Sequence, residues 1–90
     1  MPAIHGWVSG KVQGVYYRAS TAKKANALGL KGWVRNLEDG RVEFFAQGQE
    51  EALSVLETWC KRGPVLAKVR SLDVVNEPEN PVLTVFDVIK

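Results

Sequence analysis

Lys31-Gly32-Trp33-Val34-Arg35-Asn36-Leu37-Glu38-Asp39-Gly40-Arg41-Val42-Glu43-Phe44-Phe45-Ala46-Gln47 is the stretch on which the fold turns. Residues 30 to 36 and 41 to 47 carry the β-branched and aromatic side chains of strands. The Asp39-Gly40 pair between them suits a tight turn, so the two segments predict an antiparallel hairpin. A helical pattern flanks the hairpin on each side. Upstream, from Arg18 to Leu28, Ala19, Ala22, Ala25 and Leu28 recur every third residue as a narrow apolar stripe, and Gly29 fits the left-handed position that closes a helix. Downstream, from about Gln49 to Arg62, the side chains of Ala52, Leu53, Val55, Leu56, Trp59 and Cys60 form an apolar face. Glu50 and Glu51 in its first turn and Lys61 and Arg62 in its last complement the helix dipole, and Gly63-Pro64 stops it.

Further out, residues 4 to 10 alternate, with Ile4, Gly6 and Val8 on one face and His5, Trp7 and Ser9 on the other, as in a half-buried strand. Residues 66 to 75 and 82 to 88 read as two more strands, separated by the turn Asn76-Glu77-Pro78-Glu79-Asn80-Pro81. The order is βαββαβ with a fifth, C-terminal strand. It implies an α+β sandwich of the split βαβ, ferredoxin-like kind: both helices lie on one face of a mainly antiparallel sheet, and strand three separates the parallel strands one and two. A geometric consequence follows. The loop after strand one and the far end of strand two emerge at the same edge, two strand spacings or about 9–10 Å apart. Asn36 stands at that far end.

The loop facing it is Gly10-Lys11-Val12-Gln13-Gly14-Val15-Tyr16-Tyr17-Arg18. Two glycines let the backbone curl so that successive N–H groups can face a small anion. Arg18 adds a fixed charge with forked donors where the helix N-terminus already offers unpaired N–H groups and partial positive charge. A tetrahedral phosphate is the ligand this arrangement suits.

Composition narrows the classes. Ninety residues make one domain, 1–90, large enough to bury its own core. A net charge of +2 neither demands nucleic acid nor excludes a small anion. Met1-Pro2-Ala3-Ile4-His5-Gly6 lacks the basic and apolar regions of a signal peptide, and no segment is as long as a membrane span, so a cytoplasmic protein without membrane association is expected. Cys60 is the single cysteine and His5 the single histidine, an inventory that excludes an internal disulfide and leaves zinc short of ligands. No metal and no cofactor are expected.

Along nearly its whole length the chain resembles the acylphosphatases. Gly10 to Arg18 is similar to that family's phosphate loop, and Gly32-Trp33-Val34-Arg35-Asn36-Leu37-Glu38-Asp39-Gly40-Arg41-Val42, continuing to Gly48, is similar to its asparagine motif. The resemblance implies metal-independent hydrolysis of the carboxyl–phosphate bond of small acyl phosphates by a monomer, with inorganic phosphate as product or inhibitor. It implies that Arg18 and the backbone N–H groups from Gly10 through Lys11, Val12, Gln13, Gly14, Val15 and Tyr16 to Tyr17 bind the phosphate, and that Asn36 holds the attacking water. One departure stands out: the residue before the arginine is usually Phe or Met in the family, whereas here it is Tyr17, whose phenol needs a partner if buried.

Plainer roles are expected for other polar residues: Cys60 as a small core residue, His5 on a sheet face, Glu38 and Asp39 in the turn, Arg41 solvated. The same layout also suits a different class, a module stacking single-stranded RNA on an open sheet face bearing Trp7, Trp33, Phe45, Lys31, Arg35 and Arg41. Strand three, Arg41-Val42-Glu43-Phe44-Phe45-Ala46-Gln47, lacks the glycine–aromatic pattern of such modules, and the charge excess is small. Two further alternatives bind an anion without turning it over or belong to the acylphosphatase-like domain at the start of carbamoyl-transferring hydrogenase maturation proteins.

Overall fold

The computed structural model describes residues 1–89; Lys90, the last residue of the expected domain, lies outside them. Strand β1 spans Ala3–Lys11, helix α1 Tyr17–Ala27, β2 Lys31–Asn36, β3 Val42–Gln47, helix α2 Glu50–Cys60, β4 Lys68–Glu77 and β5 Phe86–Val88. The strands form one sheet in the order β4-β1-β3-β2-β5. β3 runs antiparallel to both β1 and β2, which are therefore parallel to each other, as the βαββαβ order requires. β4 extends the sheet antiparallel beside β1, and β5 adds a short parallel pairing on the outer edge of β2.

Strand alternation sorts the sheet into two faces. Ile4 and Val8 of β1, Val34 of β2 and Val42, Phe44 and Ala46 of β3 join the buried core with Leu53, Leu56 and Cys60 of α2. Phe44 is wholly buried, and its ring fills the space over Gly6, its partner in the β1–β3 register; a Cβ there would stand 2.4 Å from the ring. Burial of such a side chain stabilises the fold by about 1.5–3 kcal/mol. On the opposite face, Trp33 and Phe45 stack at 6.3 Å and His5 stacks on Trp7 at 4.2 Å. Glu43, at the centre of that face, accepts hydrogen bonds from Arg35 Nε at 2.6 Å and from His5 Nε2 at 2.7 Å. The rings thus cover one another, and the nearest guanidinium is already paired to a carboxylate, which disfavours the RNA-stacking alternative.

The local differences from the sequence expectation have physical causes. The buried stripe of α1 is Tyr17, Thr21 and Ala25, not one that includes Ala19, which is exposed. Thr21 can be buried because its hydroxyl donates to the Tyr17 carbonyl at 2.8 Å, one turn back. In α2, Val55 is exposed while Leu53, Leu56 and Cys60 face the sheet, and Lys61 and Arg62 lie beyond the last turn. β4 starts two residues later than expected because Pro64 to Ala67 form a turn, closed by Ala67 N–H to the Pro64 carbonyl, and ends later because Asn76 and Glu77 pair with Ile4 and Ala3. β5 is reduced to three residues. Val82 and Leu83 are apolar, but their N–H groups bond to Asn80 in a turn, and pairing with β2 begins only where Gly32 N–H meets the Val85 carbonyl.

Candidate active site

β1 carries Gly10 and Lys11 as strand residues, paired with Val69 and Lys68 across a register shift after Ser9. A Cβ at Gly10 would meet the Lys68 carbonyl at 2.2 Å and the Arg70 nitrogen at 2.7 Å, so the β4 backbone lies where any larger residue would place its side chain. The loop proper runs from Val12 to Tyr16. Val12 and Val15 are buried in the core and hold it down at two points. Between and after them, Gly14 (φ 75°) and Tyr16 (φ 64°) adopt left-handed backbone, which curls the chain into the first turn of α1. Tyr16 provides no side-chain cap to that helix, and the first turn contains no acidic residue. The N–H groups that a helix cannot satisfy internally are left without a side-chain acceptor at this end.

Gln13 is the residue whose role sequence reasoning missed. Its side-chain amide donates to the Leu37 carbonyl at 2.8 Å and to the Arg41 carbonyl at 2.9 Å, the two carbonyls at the neck of the β2–β3 hairpin. The loop is thereby tied to the element that carries Asn36. No local pattern announces this contact, since its partners lie 24 and 28 residues away.

Asn36 ends β2, and its Oδ1 is buried without a hydrogen-bond partner. A stranded buried acceptor costs about 1–3 kcal/mol. It lies in the wall of a cleft of about 360 Å³ that Gly14, Tyr16 and Arg18 line from the loop and helix and Val88 lines from β5. Of the nine expected phosphate-loop positions, Val12, Gly14, Tyr16, Tyr17 and Arg18 line the cleft; Gly10 and Lys11 pair with β4, the Gln13 side chain bonds to the hairpin and Val15 is buried. A larger groove of about 530 Å³ lies between the outer surfaces of the helices, beside Lys24, Trp59 and Arg62, away from both motifs.

Tyr17 fixes the start of α1. It is 1 % exposed, and its hydroxyl donates at 2.7 Å to the Cys60 carbonyl at the end of α2, one of the carbonyls a helix leaves unpaired at its C-terminus. Burial pushes its phenol well above the ordinary range, and burial likewise pushes the Cys60 thiol up to about 12, so neither side chain ionises near neutrality. Cys60 is a core residue without nucleophilic character. Arg41 is not free in solvent: its Nε bonds the Asp39 carboxylate at 2.8 Å, and its N–H bonds the other oxygen of the same group, which holds that carboxyl below its usual range.

The family model of the acylphosphatases matches residues 4–88. The chain belongs to the acylphosphatase family. It is 52 % identical over 90 residues to an acylphosphatase of Methylococcus capsulatus, a match covering 100 % of this chain and 98 % of that one. Among solved structures, it superposes on an acylphosphatase from Bacillus subtilis with a TM-score of 0.96 at 33 % identity over all of both chains. An acylphosphatase from Coxiella burnetii gives 0.92 at 40 % identity, covering 97 % of this chain and 90 % of that one. The two motifs on which the resemblance rests, the glycine loop and the strand ending in Asn36, meet in the cleft.

Proposed function

We propose that this acylphosphatase hydrolyses the carboxyl–phosphate bond of small acyl phosphates, with Arg18 and the loop amides binding the phosphate and Asn36 positioning the attacking water. The observation that carries the assignment of roles is that Asn36, whose side-chain oxygen has no hydrogen-bond partner in the protein, lines the same cleft as Arg18. The Asn36 side-chain amide at that cleft holds a water molecule by a hydrogen bond and turns its oxygen lone pair toward phosphorus. Arg18 grips two phosphate oxygens through its fork. The N–H groups of the curled loop and first helical turn take the remaining charge as the P–O bond to the carboxylate lengthens.

No protein group need supply a strong acid or a covalent nucleophile, because a carboxylate leaves readily and the reaction is dominated by positioning and charge stabilisation. Water attacks in line as the carboxyl oxygen departs, a phosphate oxygen of the substrate takes the water's proton, and the products are the carboxylate and dihydrogen phosphate. The Gln13 bridge keeps the loop and the Asn36 strand at a fixed distance, which such positioning requires. We take the enzyme to work as a cytoplasmic monomer without metal or cofactor, a setting that suits a single buried, unpaired cysteine.

The test is phosphate release from acetyl phosphate and benzoyl phosphate by the purified chain in the presence of EDTA. Saturable release, inhibited by inorganic phosphate, is expected. Absence of release from both substrates, or release only after a divalent cation is added back, overturns the proposal.

A further inference from the structure

We infer that the ring of Tyr16 is the acyl-group platform of the cleft and biases this enzyme toward uncharged, aromatic acyl phosphates; the inference rests on the hydrolase reading above and deepens it. Two observations about Tyr16 need a reason. It is the only non-glycine residue with positive φ among those described, at φ 64° and ψ 22°, a conformation in which a bulky side chain is strained. It is also 77 % exposed, so its ring neither fills the core nor caps the helix it precedes. The curl of the loop explains why the backbone is left-handed here, but Gly or Asn would adopt it with less strain. The curl does not explain an aromatic side chain, and the residue lines the cleft.

The chemistry of the cleft says what the ring faces. Among the lining residues, Val12 and Tyr17 are each 1 % exposed and the Asn36 Oδ1 is buried, so these form the floor, whereas Tyr16 and Val88, 77 % and 44 % exposed, form the mouth. In-line attack by water held at the floor sends the leaving carboxylate outward, toward the mouth. The acyl group attached to it then lies against the Tyr16 ring, with the Val88 side chain on the β5 side. Among the described residues, and apart from Arg18, whose charge the phosphate takes, no ionisable side chain other than the two tyrosines lines the cleft. A benzoyl group meets an aromatic and an aliphatic surface there, a methyl group uses little of either, and a second anionic group on the acyl chain finds no cationic partner beyond Arg18 among the described lining residues.

The experiment reads the ratio of kcat/KM for benzoyl phosphate to that for acetyl phosphate in the wild type, in Tyr16→Asn, which tolerates left-handed backbone but removes the ring, and in Tyr16→Phe, which keeps the ring. The ratio should fall about three- to tenfold in Tyr16→Asn, the range a lost aromatic contact supplies, and stay within about twofold of wild type in Tyr16→Phe. A ratio unchanged in Tyr16→Asn overturns the inference, as does an equal fall in both variants, which assigns the effect to the hydroxyl. Should Tyr16→Asn not fold, the wild type decides: a KM for benzoyl phosphate no lower than that for acetyl phosphate overturns the platform. Failure of the hydrolase reading looks different, since the wild type then releases phosphate from neither substrate.

Discussion

Replacing Tyr17 by Phe removes one oxygen atom and isolates what the phenol contributes. The ring stays in place beside Trp59, 5.7 Å away between centroids, so little packing is lost. The Cys60 carbonyl loses its 2.7 Å donor inside a region where Tyr17 is 1 % exposed and Cys60 fully buried. A buried acceptor stranded in this way costs about 1–3 kcal/mol. For a domain of this size, each kcal/mol lowers Tm by about 4–8 °C, so a loss of roughly 4–24 °C is expected. Urea and thermal unfolding followed by tryptophan emission measure it. The pH dependence gives a second check. Burial raises the folded-state phenol above its ordinary 10.0, so its contribution is complete below pH 10 and is lost as pH rises further, because the unfolded chain ionises where the folded one resists. The stability gap between wild type and Tyr17→Phe should therefore narrow above pH 10. A gap below about 0.5 kcal/mol at neutral pH, within the range of ordinary surface substitutions, would refute the reasoning.

Arg18→Ala should abolish inhibition by inorganic phosphate and lower kcat/KM for acetyl phosphate by at least about 10²- to 10³-fold, by analogy with loss of an oxyanion donor; ordinary saturation by substrate in steady-state kinetics would count against its phosphate role. Glu43→Gln should lower stability at neutral pH. Burial alone would raise the Glu43 carboxyl, but the hydrogen bonds and charges of His5 and Arg35 outweigh it and hold the group below its ordinary 4.5, so its contribution is present above that value and is lost as pH falls beneath it. Urea midpoints of the two proteins should converge from about pH 4.5 downward, and a constant gap into strong acid would contradict a carboxylate held charged.

Much of the fold was legible because it rests on local chemistry. Asp39-Gly40 marked the hairpin, alternation in β1 separated Ile4 and Val8 from His5 and Trp7, and the split order then forced β3 between β1 and β2. The same topology brought Asn36 to the edge where the loop emerges. What was not legible depends on side-chain hydrogen bonds that hydrophobic periodicity does not show. Thr21 belongs to the buried stripe of α1 only because the Tyr17 carbonyl accepts its hydroxyl, and Gln13 reads as one more loop residue until the hairpin neck is placed beside it. β5 shows the limit of propensity: Val82, Leu83 and Val85 suit a strand, but the turn at Asn80 leaves only Phe86–Val88 in register with β2. The glycines of the loop carried two different meanings, a curl at Gly14 and a close approach of the β4 backbone at Gly10, and only the position of the Lys68 carbonyl separates them.

Water held by Asn36 in line with a phosphate held elsewhere is the core of the mechanism, and Asn36→Ala separates the two functions. The decisive measurement is kcat for benzoyl phosphate alongside the inhibition constant of inorganic phosphate in that variant. The account predicts that kcat falls by about 10²- to 10³-fold, the loss expected when a positioned polar group is removed from the transition state, while phosphate inhibits as it does in the wild type. Parallel loss of turnover and of phosphate inhibition would make Asn36 a part of the anion cup and contradict the account.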